Sequence, residues 1–223
     1  MRALRLPIAA LVVLCQWLGA SVSLAEETTI ARAMDAVMVL SSNDGRAVFL
    51  GSGFLYGTGG IALTNAHVVG TSDSVRAVFH DGEIAIARVI ARDETRDIAI
   101  LSVPTAHGRS SLIRATQSPE IGHPVIAIGA PLGLGFTATR GIIAAAPRQI
   151  EAAVPLRLLQ HDAALNPGSS GGPLIDEAGH LLGMNSRIAD GRTRHILLDP
   201  WSTNRPVRPI GNGNVIDPAV ERF

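Results

Sequence analysis

The 223-residue chain carries 19 arginines, 19 acidic residues and no lysine, for a formal charge of zero. Without a basic stripe, nucleic-acid binding has no electrostatic footprint. The one cysteine, Cys15, sits in an apolar N-terminal run that reads as a cleaved leader, so neither a disulfide nor a thiolate metal site is expected beyond it.

That leader occupies residues 1–25. Arg2 and Arg5 precede an apolar run from Leu6 to Leu18, and Ser23-Leu24-Ala25 offers small residues where a signal peptidase cuts. An uncleaved anchor is the alternative, but the run is short for a bilayer span. Removing the leader leaves 198 residues, with 17 arginines facing 19 acidic side chains and no further membrane segment.

Glu26 to Val37 opens as a short helix with Ile30, Ala33, Met34 and Val37 at helical spacing. Val37 to Leu40 reads as a strand, and the turn Asn43-Asp44-Gly45 pairs it with Ala47 to Leu50. Gly51 to Tyr56 leads through Gly57-Thr58-Gly59-Gly60 into Ile61 to Thr64. Val75 to Phe79 and Glu83 to Ile90 flank Asp81-Gly82 as a hairpin, and Ile98 to Val103 is a buried strand ended by Pro104. Further strands are expected at Val125 to Ile128, Phe136 to Ala144, Leu156 to Gln160, Pro173 to Ile175 and His180 to Met184. Short strands with frequent turns predict an all-β barrel or sandwich, and no linker or repeat divides it.

The chemistry gathers on three short strings. In Asn166-Pro167-Gly168-Ser169-Ser170-Gly171-Gly172-Pro173, three glycines and two prolines surround a pair of hydroxyls. Alone, this is a glycine-rich turn; with a base nearby, it is a loop able to aim backbone N–H groups at an oxyanion. Of seven histidines, six have surface or hairpin contexts, whereas His67 follows small residues at a strand end, in Thr64-Asn65-Ala66-His67-Val68-Val69. Asp97 stands at the mouth of the buried strand in Arg96-Asp97-Ile98-Ala99-Ile100-Leu101, where a carboxylate needs a partner. The chain order His67, Asp97, Ser170 is that of the chymotrypsin-type triad, not of the subtilisin or α/β-hydrolase types.

These strings, with Gly51-Ser52-Gly53-Phe54, the stretch from His161 to Gly168 and that from Gly129 to Gly135, resemble the HtrA/Deg family of trypsin-like serine proteases. The resemblance runs from about residue 30 to Ser186. It implies two six-stranded antiparallel β-barrels with the site between them, His67 and Asp97 from the first and Ser170 from the second. It implies an oxyanion hole from the N–H groups of Gly168 and Ser170, and substrate contacts at Ala164, Asn185 and Ser186. No metal or cofactor is called for. The implied activity is periplasmic hydrolysis of unfolded or misfolded polypeptides. Ala164, six residues before the nucleophile, gives an apolar pocket floor and a preference for small or aliphatic residues. Ser169 stands where the family usually has asparagine and trypsin-like zymogens have aspartate, so activation by N-terminal cleavage is not expected.

Beyond Ser186 the resemblance fades. Only Ile196-Leu197-Leu198 looks strand-like, and Pro200 to Pro218 holds four prolines, three asparagines and two glycines. The expected division is therefore a leader at 1–25, a protease domain at 26–198 and a loosely ordered tail at 199–223, with no room for a PDZ domain. A second barrel left without its closing strand would have an unpaired edge. The alternative function is then a catalytically impaired binding or chaperone module. Family trimers use aromatic residues near the mature N-terminus; residues 26–48 have none, so the oligomeric state stays open, an oligomer being allowed but unsupported.

Overall fold

The computed structural model describes residues 28–42, 48–130, 135–149, 157–188 and 195–198. The leader, the turn at Asn43 to Gly45 and the tail from residue 199 lie outside the described residues. A helix, α1 (28–35), packs Ile30, Ala33 and Met34 against the first barrel, as its spacing predicts.

The first barrel is built from β1 (Val37–Ser42), β2 (Phe49–Leu55), β3 (Ile61–Thr64), β4 (Ser74–Phe79), β5 (Ile84–Asp93) and β6 (Ile98–Ser102). The strands close in the order β1-β2-β3-β6-β5-β4. β5 shows why it curls. Ala85, Ala87 and Val89 point inward while Ile84, Ile86 and Arg88 point out, the two-residue period of a half-buried strand. Met38, Leu40, Leu55, Phe79 and Leu101 share that inward face and fill the interior, while Phe54 and Ile100 are buried on the opposite face.

The second barrel comprises β7 (Pro124–Gly129), β8 (Thr137–Gln149), β9 (Arg157–His161), β10 (Pro173–Ile175), β11 (Leu181–Ile188) and β12 (His195–Leu198). β7 is apolar along its whole length because it is buried on both faces. Val125 and Ala127 join the second barrel's core, whereas Ile126 and Ile128 join the core of the first. β10 divides likewise, Leu174 to one core and Ile175 to the other. Full burial of such a side chain stabilises by about 1.5–3 kcal/mol, so these residues weld the barrels along the line where the site lies.

The second barrel is closed, in the order β10-β11-β12-β9-β8-β7, which corrects the expectation of a missing strand. β12 pairs Met184 with Leu198 and Asn185 with Leu197 on one side, and Ile196 with Gln160 and Leu197 with Leu159 on the other. Four residues suffice because both their edges find partners. β8 runs further than its sequence suggested, through Pro147, with register shifts between Ile143 and Ala145 and between Ala145 and Arg148. Proline is tolerated in a strand at such irregularities. Among the described residues no helix is long and apolar enough to cross a membrane.

Candidate active site

β3 ends at Thr64 and the chain turns at once into a single helical turn, α2 (Ala66–Val69). Val68 and Val69 are buried beneath it, which leaves the His67 side chain half exposed above. Asn65 occupies the N-cap position but does not cap the turn. Its buried amide instead donates from Nδ2 to the Asp97 carbonyl at 2.9 Å.

Asp97 lies in the turn between β5 and β6 with φ at 58°, the one non-glycine residue with positive φ among those described. Aspartate is among the few side chains that visit this region, at a cost of about 1–2 kcal/mol. The surroundings hold it there. His67 N–H donates to Oδ1 at 3.0 Å, and His67 Nδ1 lies 2.9 Å from both carboxylate oxygens. The Ser186 hydroxyl, from β11 of the other barrel, donates to Oδ2 at 2.8 Å. Burial pushes the Asp97 carboxyl up, but the hydrogen bonds from the His67 ring, the His67 N–H and Ser186 outweigh it and hold the group below the usual carboxylate range. An ionised Asp97 fixes the ring with Nδ1 as donor, leaving Nε2 to accept a proton.

Ser170 sits on the loop between β9 and β10. Gly168 there has φ at 103°, a conformation that a side chain would strain. Gly171 has φ at 82°, and a Cβ on it would fall 2.1 Å from the Ser52 carbonyl oxygen and 2.4 Å from Thr64 Oγ1. The glycines thus let the loop press against the first barrel, and the Ser52 N–H donates to the Ser170 carbonyl at 2.8 Å. Ser169 N–H turns away to the Asn166 carbonyl at 2.9 Å, while the N–H groups of Gly168 and Ser170 donate to no described acceptor. Ser170 Oγ makes a long hydrogen bond, 3.4 Å, to the Ser186 carbonyl. Such loose geometry is ordinary for a nucleophile without substrate. Ser169 is buried, and its hydroxyl accepts from the Asn166 N–H at 3.3 Å, closing the loop locally.

The structure therefore brings Asp97 against His67, and Ser170 against the Ser186 that also holds Asp97. Ala164 is exposed, its carbonyl held by Thr139 Oγ1 at 2.7 Å. Asn185 lies in the interior. It is wholly buried, Nδ2 donates to the Pro173 carbonyl at 3.3 Å, and its N–H and carbonyl pair with Gly172 and Gly171. Its Oδ1 is buried without a hydrogen-bond partner among the described residues. Ser186 offers its side chain to Asp97, so any substrate contact falls to its backbone. Asn65 was not singled out in the sequence; a polar amide directly before Ala66-His67 was the available signal. Among the described residues no three His, Cys, Asp or Glu side chains are grouped to hold a metal.

Comparison with known proteins agrees with this geometry. Residues 51–184 match the trypsin-like peptidase domain. Over 139 residues the chain is 37% identical to a protein of Halomonas elongata named as a probable periplasmic serine endoprotease, DegP-like, a match covering 62% of this chain and 29% of that one. Over 180 residues it is 34% identical to serine protease PepD of Mycobacterium tuberculosis, covering 73% of this chain and 39% of that one. The solved structure of the HtrA-type protease AlgW with tripeptide superposes with a TM-score of 0.70 at 30% identity, over 78% of this chain and 59% of that one. The chain thus spans 29% and 39% of the length of these two curated relatives. With a two-barrel fold, a hydroxyl, imidazole and carboxylate at its seam and these relatives, the chain belongs to the trypsin-like peptidase family, among the serine proteases of the HtrA/DegP kind.

Proposed function

We propose that this chain is an exported serine endopeptidase that hydrolyses unfolded or misfolded polypeptides after small or aliphatic residues, through an acyl-enzyme. The observation that carries the reading is the network in which His67 and Ser186 converge on one buried carboxylate, Asp97, beside Ser170.

In this reading Ser170 Oγ attacks the carbonyl carbon of the scissile peptide as His67 Nε2 takes its proton. The negative charge that builds on the carbonyl oxygen meets the N–H groups of Gly168 and Ser170. The loss of one such donor typically costs about 10²–10³-fold in turnover. Asp97 stabilises the imidazolium, which then gives its proton to the leaving amine as the C–N bond breaks. A water, deprotonated by the same His67, cleaves the ester and restores Ser170.

Ala164 brings a methyl group and no counter-charge to the position expected for the pocket floor, which disfavours lysine and arginine. Residues 1–25 have the layout of an export signal, and the DegP-like relative is named as periplasmic. AlgW, solved with tripeptide and with decapeptide, supports a polypeptide as the ligand. The alternative, a catalytically impaired binding or chaperone module, drew on the altered C-terminus, and the pairing of β12 with β9 and β11 supports the enzyme over it.

Casein is the substrate for the test. Degradation by the wild type and its loss in Ser170→Ala is the expected result. Equal degradation by both proteins would reject the assignment of Ser170, and none by either would reject proteolysis.

A further inference from the structure

Ser52 stands in the middle of β2, wholly buried, between Gly51 and Gly53. The strand runs so close to the nucleophile loop that a Cβ on Gly51 would fall 3.0 Å from the Ser170 carbonyl oxygen and 2.8 Å from Val68 Cγ2. On the Ser52 side the fit is close as well, since a Cβ on Gly129 would fall 3.2 Å from Ser52 Oγ, and the small side chain present is polar.

All its hydrogen-bonding groups are engaged, and across three segments. The hydroxyl donates to the Gly168 carbonyl at 2.7 Å and accepts from the Ala130 N–H at 2.9 Å, at the end of β7. The Ser52 N–H donates to the Ser170 carbonyl at 2.8 Å, and its own carbonyl accepts from Thr64 Oγ1 at 2.7 Å, three residues before His67.

Gly168 needs glycine for its φ of 103°, but glycine leaves that peptide with wide torsional freedom. The peptide between Gly168 and Ser169 is nevertheless pinned at both ends, its oxygen by Ser52 Oγ and its N–H by the Asn166 carbonyl at 2.9 Å. With that plane fixed, and the Ser170 carbonyl held by the Ser52 N–H, the backbone turns that carry the Gly168 and Ser170 N–H groups on its two sides are restricted. We propose that Ser52 is a positioning residue for the oxyanion-stabilising loop, its buried hydroxyl removing the torsional freedom that glycine at 168 introduces. The proton of the hydroxyl goes to Gly168 while its oxygen is polarised by the Ala130 N–H, so each bond strengthens the other.

The inference rests on the proteolytic reading for its consequence, but not for its geometry, and the test separates the two. In Ser52→Ala the Gly168 carbonyl and the Ala130 N–H lose their partner while the strand keeps its backbone bonds. Turnover per titrated active site of a peptide substrate is expected to fall by about 10–100-fold, short of or near the loss of a whole oxyanion donor, with KM little changed. A merely structural role would lower the titrated fraction and leave turnover per site unchanged. That outcome would overturn the assignment. Amide hydrogen exchange in a Ser170→Ala background, which needs no turnover, is the second arm. Residues 166–172 are expected to exchange faster on adding Ser52→Ala while β4 and β5 do not. Unaltered exchange in that loop would overturn the assignment even if the wild type proved inactive, a result that would sink the proteolytic reading separately.

Discussion

The Ser186 hydroxyl reaches across the seam between the barrels and donates to Asp97 Oδ2 at 2.8 Å, while the Ser186 carbonyl accepts from Ser170 Oγ at 3.4 Å. One residue of β11 thus touches both the carboxylate and the nucleophile. Removing its hydroxyl in Ser186→Ala takes a donor from a buried anion, and a hydrogen bond to a charged group is worth about 1.5–3 kcal/mol. A fall in kcat/KM of about tenfold or more is expected from steady-state kinetics, with the protein still folded by circular dichroism. Wild-type kinetics would show that the bond does not support the triad.

Asp97→Asn tests the carboxylate itself. The amide cannot hold the imidazole in the same tautomer, so kcat is expected to drop by about 10⁴-fold, the loss known for this change in a chymotrypsin-type triad. The stability consequence has a definite sign. The folded-state pKa of Asp97 is depressed, so the ionised carboxylate stabilises the fold above the unfolded pKa of about 3.9. That contribution is lost as pH falls through the lower folded value. Urea midpoints taken across the acid range should decline less steeply in Asp97→Asn than in the wild type.

Gly171→Ala tests the close approach of loop and barrel. The added methyl carbon would stand 2.1 Å from the Ser52 carbonyl oxygen, at a φ of 82° that alanine resists. A loss above about 3 kcal/mol in urea unfolding is expected, because backbone strain and a clash add. A midpoint near that of the wild type would show that the loop can move off β2 freely.

Specificity is tested at Ala164. A peptide library is expected to show cleavage after valine, alanine or leucine, and Ala164→Asp should add cleavage after arginine by placing a carboxylate on the pocket floor. A wild-type profile dominated by arginine would contradict the assignment.

Much of the site was legible because its strings depend on local constraints. Glycine at 168 and 171 answers to positive φ, and His67 to the end of a strand. The Asp81-Gly82 turn between two β-rich runs marked β4 and β5, and Val125 to Ile128 read as a strand without any sign that two cores share it. What was illegible depended on pairing at a distance. β12 is four residues between charged and proline-rich stretches, and only its partners β9 and β11 make it a strand. Asn185 and Ser186 looked alike as substrate contacts. The register shift between Asn185 and Arg187, a bulge of the kind that re-aims side chains, accompanies their different fates, one buried and one on Asp97.

The most direct test of the account is covalent labelling of Ser170. The wild-type protein treated with a fluorophosphonate should gain one adduct by intact mass, mapped to the peptide containing Ser170. The adduct should vanish in Ser170→Ala and be strongly slowed in His67→Ala. Labelling that persists in Ser170→Ala, or a wild type that stays unlabelled while folded, would contradict the claim that these residues form a working nucleophile.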